Sequence, residues 1–231
     1  MGRFGVFLFS LMLAGAAQAA DAVPEHFERF APEVHAFAAR DRLTARDTKT
    51  LFIGSSSIRF WDLPHSFPGL AATNHGFGGA TTADVLHYYS DLIAGEHPAT
   101  VVVYVGENDI SEGRAPQTVV GDILGLLRKL KTDLPQSRLI YLSMKPSPAR
   151  WLLWPKMAEA NAAIRAAAGG AGFLYVDVGS ALLDAAGLPN GAYFRPDGLH
   201  MNAQGYALWN DMIDDLIAPP VERPARSASV S

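Results

Sequence analysis

The chain has 231 residues, with 19 Lys and Arg against 23 Asp and Glu (a formal charge of −4), 49% hydrophobic residues and no cysteine. That length suits one or two domains and buries a sizeable core without staples, while the absence of cysteine excludes disulfides, zinc–thiolate sites, iron–sulfur clusters and thiol nucleophiles. The mild acidity excludes the concentrated basic face that a nucleic-acid partner needs, and 18% charged residues beside 49% apolar ones excludes wholesale disorder.

In chain order, the first segment predicts a targeting signal, not a piece of the fold. Residues 1–19 carry one positive charge at Arg3, an apolar run from Phe4 to Ala17, and a small-residue end in which Ala17 and Ala19 fit an A-x-A cleavage site. The run is short of the roughly 20 apolar residues that span a bilayer, so a signal peptide ending at Ala19 is expected, and no integral span in the mature protein. Its removal leaves 18 basic against 23 acidic residues, a balance of −5. Export to the periplasm or beyond a bacterial cell follows as an expectation, and a domain of this size needs no disulfide there.

Next, Phe27, Phe30, Val34 and Phe37 recur at helical spacing and predict an amphipathic helix packed outside the main domain. Five short apolar runs then read as strands: 50–54, the weaker 71–76, 100–106, 137–144 and 172–178. Their continuous apolar character suits a sheet covered on both faces. Helical patterns near 81–94, 116–134, 155–169 and 202–217 alternate with them; Thr81, Thr82 and Asp84 offer caps to the first, and Pro116 sits at the first turn of the second. Alternation of this kind predicts a parallel, doubly wound α/β sheet in one domain over residues 20–217. The proline- and serine-rich segment 218–231 has no apolar period and is expected to be disordered.

In such sheets ligands bind beyond the carboxyl ends of the strands, and the chemistry-bearing residues follow strands here. After the first strand come Ser55, Ser56 and Ser57, either a helix-capping or phosphate-cradling turn or a serine nucleophile at the sheet edge. After the second come Gly76, Gly78 and Gly79 beside His75; this spacing is not the dinucleotide fingerprint G-x-G-x-x-G. After the third, Asn108 in VGEND is either an oxyanion donor or an Asx turn. Ahead of the last helix, Asp197 and His200 share one tight loop, a spacing that suits a general base with its orienting carboxylate; a metal site is the alternative. The stretch 143–155 after the fourth strand carries Lys145, Arg150, Trp151 and Trp154. It is either a substrate-facing wall, with cations for an anionic group and indoles for a sugar or acyl chain, or core packing with solvated cations. Arg59 and Trp61 either border the site or pack the first helix, and Tyr88 and Tyr89 read as structural.

With these motifs the sequence resembles the SGNH/GDSL hydrolase superfamily, in its exported bacterial acylhydrolase branch. The likeness rests on FIGSSSIRFW, NHGFGGATT, VGEND and the D-x-x-H pattern Asp197-Gly198-Leu199-His200, blocks that reach across nearly the whole mature chain. It implies a three-layer α/β/α sandwich with a five-stranded parallel, flavodoxin-like sheet. It implies Ser56 as nucleophile, His200 as general base and Asp197 as its orienting partner, with Ser56 N–H, Gly79 N–H and the Asn108 side chain as the oxyanion hole. No metal or organic cofactor is needed for that chemistry. The sequence departs from the family's usual pattern at Ser55 and Ala80, each standing where an aspartate is common. The implied substrate is a small-molecule, glycan or lipid ester. With no long apolar insertion to form a lid, short acyl groups are expected, and lysophospholipid or thioester hydrolysis, or bare glycan binding on the same scaffold, are the other readings.

Overall fold

The computed structural model describes residues 25–43 and 50–217. The expected signal peptide and C-terminal tail lie outside the described residues. After a short helical turn, α1 (Glu25–Glu28), and helix α2 (Ala31–Leu43), the chain enters strand β1 (Thr50–Gly54), followed by α3 (Ser56–Arg59), α4 (Leu63–Ser66) and β2 (Ala72–Gly76). Helices α5 (Thr82–His87) and α6 (Tyr89–Ile93) lead to β3 (Thr100–Tyr104), then α7 (Glu107–Ser111), α8 (Pro116–Asp133) and β4 (Arg138–Leu142). A 3-10 turn (Pro148–Leu153), α9 (Trp154–Ala171), β5 (Leu174–Val176), two further 3-10 turns and α10 (Ala203–Ile217) complete the described chain.

The five strands are all parallel in the order β2-β1-β3-β4-β5. Period-two alternation divides their side chains between two cores. Leu51, Ile53, Val101, Val103, Leu139 and Tyr141 pack with the apolar faces of α2, α5, α6, α8 and α9, while Phe52, Val102, Tyr104, Ile140 and Leu142 pack with α10 and the α3–α4 segment. This is the three-layer α/β/α, flavodoxin-like arrangement expected from the sequence. Helix α8 starts with Pro116 at its first position and buries Val119, Ile123, Leu126, Leu127 and Leu130 along one stripe. Helix α10 buries Tyr206, Trp209, Ile213 and Ile217 on the opposite layer.

Three local differences from the sequence reading have simple causes. The aromatic stripe packs as expected, with Phe30, Val34 and Phe37 in the core, but a turn at 29–30 splits it into α1 and α2. The helical pattern 81–94 is two helices, α5 and α6, because Tyr88 leaves helical geometry between them. The segment at 148–153 closes as a 3-10 turn led by Pro148.

The order reverses between β1 and β3, since the chain leaves β1 toward β2 on one side and places β3 on the other. That switch point is held tightly. Gly54 has φ 143°, and a Cβ there would stand 1.9 Å from the Tyr104 carbonyl oxygen, so only glycine lets β1 and β3 close at their carboxyl ends.

Candidate active site

Ser55 donates its amide to the Tyr104 carbonyl (3.0 Å), carrying the β1–β3 pairing one residue past the strand. The chain then turns into α3, whose first amides (Ile58 and Arg59) bond back to the Ser55 carbonyl. Ser56 is therefore the first residue beyond the switch point, half-buried, with a fixed backbone. Asn74 locks this turn to the next strand: its side-chain amide donates to the carbonyls of Ile58 (2.7 Å) and Trp61 (3.2 Å), and its oxygen accepts from Gly76 N–H (2.9 Å).

The loop before α10 folds back on itself through Arg195 N–H to the His200 carbonyl (2.7 Å) and a bridge between Phe194 and Met201. Inside it, Asp197 Oδ1 accepts the amides of Leu199 and His200, each at 2.9 Å, while Oδ2 faces His200 Nδ1 at 2.7 Å. The hydrogen bond from the His200 ring, and then the two backbone amides, hold the Asp197 carboxyl well below the usual carboxylate range. A carboxylate against Nδ1 keeps the ring proton there and leaves Nε2 an acceptor. Nε2 stands 3.2 Å from Ser56 Oγ, and the edge of the ring meets Phe60 at a centroid distance of 4.9 Å. Ser56, His200 and Asp197 thus form one continuous line of polar contacts across 144 residues of sequence.

The glycine loop, which packs against Ile58 and Arg59 of α3, meets the β3–α7 turn. Asn108 donates through Nδ2 to the Ala80 carbonyl (2.9 Å), and the buried Asp109 carboxylate accepts Thr82 N–H at 3.1 and 3.0 Å. Burial raises the Asp109 carboxyl, against the lowering effect of the Thr82 bonds and Arg114. These bonds fix Gly79 against Asn108. Gly79 adopts a positive φ of 79° with open space where a Cβ would be. A polar cavity of about 480 Å³ opens there, lined by Gly78, Gly79, Asn108, Arg29, Glu33, Glu112 and Arg150 among others.

The GDSL-like lipase/acylhydrolase family model matches residues 59–208, beginning just after Ser56 and covering Gly79, Asn108, Asp197 and His200. The chain belongs to this family of ester-bond hydrolases. Platelet-activating factor acetylhydrolase IB subunit alpha2 of Gallus gallus is 30% identical over 117 residues, which are 46% of this chain and 49% of the other. The match therefore spans about half the length of that curated relative. Two solved structures share the fold at lower identity. A chain from Streptococcus pneumonia proposed as a platelet activating factor is 20% identical with a TM-score of 0.75, covering 83% of this chain and 94% of its own. An acetylxylan esterase from Geobacillus stearothermophilus is 16% identical with a TM-score of 0.60, covering 75% and 95%.

Within this GDSL-like fold the remaining sequence candidates separate cleanly. Arg150 does border the cavity, and its Nη1 bonds both Glu107 Oε1 (3.1 Å) and Asn108 Oδ1 (3.0 Å). Lys145 does not face substrate: its side chain is 1% exposed and its Nζ donates to Glu107 Oε2 at 2.9 Å. The expectation that it meets an anionic substrate group is corrected, because an unpaired buried carboxylate would otherwise be left behind it. Trp151 and Trp154 stack on each other (centroids 6.5 Å, 15° between planes), and Trp154 lines a separate cavity between α9 and β5 with Arg165 and Tyr175. Neither indole is among the residues that line the Gly79–Asn108 cavity. Arg59 pairs through Nε with Glu33 (2.6 Å) and leans over Phe60, at the rim beside Gly78. Trp61 is core, bonded to Asn210 Oδ1, and His75 is buried against Phe37 with Nδ1 2.7 Å from the Leu92 carbonyl. Tyr88 and Tyr89 are buried structural residues.

Sequence reasoning missed Glu107 and Tyr104 as parts of the site. Burial pushes the Glu107 carboxyl up, but Lys145 and Arg150 more than offset this and hold it below its ordinary value. The signal was an acid placed directly at a strand end beside Asn108, in a chain whose two cations with matching reach lie in the loop after the next strand.

Proposed function

We propose that the chain is an exported serine esterase that cleaves carboxylic esters through an acyl-enzyme, with Ser56 as nucleophile, His200 as base and acid, and Asp197 holding the imidazole. The observation that carries this reading is the Ser56 Oγ to His200 Nε2 distance of 3.2 Å, with Asp197 at 2.7 Å on the far side of the ring. As Oγ attacks the ester carbonyl, Nε2 takes its proton. The tetrahedral oxyanion is met by Ser56 N–H, Gly79 N–H and the second N–H of Asn108 Nδ2, the first being given to Ala80. Collapse expels the alcohol, which receives the proton from Nε2. A water then repeats the sequence on the acyl-serine, releasing the carboxylic acid and restoring Ser56. Every proton and electron pair in the scheme is carried by ester, water and side chains.

A short acyl group on a polar alcohol fits best, because Arg29, Glu33, Ser111, Glu112 and Arg150 line the Gly79–Asn108 cavity and Phe30 is the one apolar side chain among its lining residues. The Geobacillus relative is an acetylxylan esterase, and the same substrate class is proposed here. Hydrolysis of p-nitrophenyl acetate by wild type, and its loss in Ser56→Ala, is the expected result; equal rates in both proteins would sink the assignment. Across a p-nitrophenyl chain-length series, kcat/KM should be highest for acetate. A maximum at long chains would instead support the lysophospholipase-type reading. Export is tested by N-terminal mass analysis of protein from a periplasmic fraction, where a chain beginning at Ala20 is expected and an intact Met1 terminus would contradict it.

A further inference from the structure

Asn108 sits at the meeting point of the site and a buried ionic cluster that the reaction scheme leaves unused. Its Oδ1 accepts from Arg150 Nη1 at 3.0 Å, and the same Nη1 donates its other hydrogen to Glu107 Oε1 at 3.1 Å. Glu107 is itself clamped on its second oxygen by Lys145 Nζ (2.9 Å) and by the Tyr104 hydroxyl (2.5 Å), while that hydroxyl accepts Lys145 N–H at 3.4 Å. The Glu107 and Lys145 side chains are 4% and 1% exposed, and Arg150 is 18% exposed. A buried carboxylate shared by two cations and a phenol is an expensive construction that apolar residues could replace in a purely structural role.

We propose that Glu107 and Arg150 are positioning residues for the oxyanion hole: Glu107, fixed by Lys145 and Tyr104, aims the Arg150 guanidinium at Asn108 Oδ1, so that the Asn108 amide presents a free N–H to the developing oxyanion. The inference rests on the esterase reading above. Three contacts decide the orientation of the amide. A cation faces Oδ1, a carbonyl (Ala80) takes one hydrogen of Nδ2, and only the second hydrogen is left over. A flipped amide would set its NH2 against the guanidinium and its oxygen against a carbonyl, both repulsive. The cation on Oδ1 also draws electron density from the amide and strengthens N–H donation at the moment charge appears on the substrate.

The test is a double-mutant cycle on kcat for p-nitrophenyl acetate, a neutral ester that gives Arg150 no anionic group to bind. Arg150→Ala leaves Glu107 paired with Lys145 and Tyr104, so the variant is expected to fold, with a melting transition close to wild type. Asn108→Ala should lower kcat by about 10² to 10³-fold. Arg150→Ala should lower it by roughly tenfold or more with little change in KM, and the double variant should be no slower than Asn108→Ala alone, because the arginine acts through the asparagine. Low concentrations of guanidinium ion should restore part of the activity of Arg150→Ala and none to Asn108→Ala. Multiplicative losses in the double variant, a pure KM effect, or an unchanged rate in Arg150→Ala would each overturn the inference. Glu107→Gln supplies the second arm: it should lower kcat in the same cycle and be non-additive with Asn108→Ala, and additivity there would contradict the proposal. Ser56→Ala, run beside them, separates the two levels: activity that survives it breaks the esterase reading, whereas activity that requires Ser56 but ignores Arg150 breaks only the positioning role.

Discussion

The Asp197–His200 pair and the Lys145–Glu107–Arg150 chain both set a carboxylate against nitrogen bases at the carboxyl edge of the sheet, and they are built in opposite ways. The first is local, three residues apart in one loop, with side chains 47% and 24% exposed. The second joins two loops about forty residues apart and lies almost wholly out of water, with Lys145 and Glu107 at 1% and 4%. An exposed pair contributes little to stability and is free to change protonation in a reaction cycle. A buried one is costly to break because the surviving charge has no solvent to turn to. In the proposed mechanism the reacting groups sit on the cheap, accessible pair, and the rigid chain lies behind Asn108, the proposed oxyanion donor.

The sharpest way to break this comparison is to remove one member from each side and measure both rate and stability. Ser56→Ala and His200→Ala should each reduce kcat for p-nitrophenyl acetate by about 10⁴-fold or more while leaving the urea midpoint near wild type. Glu107→Ala should do the reverse in emphasis, lowering folding free energy by about 3–5 kcal/mol in urea titration as Lys145 and Tyr104 lose their shared acceptor. If Glu107→Ala is as stable as wild type, the buried chain is not the rigid element described here.

Acid should separate the two regions more gently. Glu107 and Asp197 both have depressed folded-state values, so each contributes stability that is present above its ordinary range and lost as pH falls through the folded value. For Glu107 the ordinary value is 4.5, so its contribution should be complete at neutral pH and fade below about pH 4.5. Glu107→Gln and Asp197→Asn should each flatten the fall in melting temperature between neutral and strongly acidic pH, the half-exposed Asp197 by less than its depressed value alone implies because water screens it. The smallest expected effect is Gly79→Ala. No atom obstructs the added methyl, so only the left-handed backbone strain of about 1–2 kcal/mol applies, and activity should drop more than stability.

The same contrast explains what could be read from the sequence. The sheet was legible because continuous apolar runs such as TVVVY and RLIYL mark strands buried on both faces, and the site was legible because its residues follow those strands or share a tight loop. Asp197 and His200 announced themselves by spacing. Lys145 and Arg150 read in the sequence as cations in an aromatic loop, but spacing says nothing about a partner on another strand. Only the β3–β4 adjacency brings Glu107 beneath both of them, and that depth turns Lys145 from an expected substrate contact into a buried counter-ion. The stacking of Trp151 on Trp154 is hidden for the same reason: helical and 3-10 spacing leave the direction of an indole open until the layers are packed.

The central claim, that Ser56 is the nucleophile activated by His200, is tested most directly by labelling the protein with a fluorophosphonate and locating the adduct by peptide mass spectrometry. A single adduct on Ser56, strongly reduced in His200→Ala, is the expected result. An adduct on Ser55 or Ser57, or labelling of Ser56 that does not depend on His200, would contradict the account.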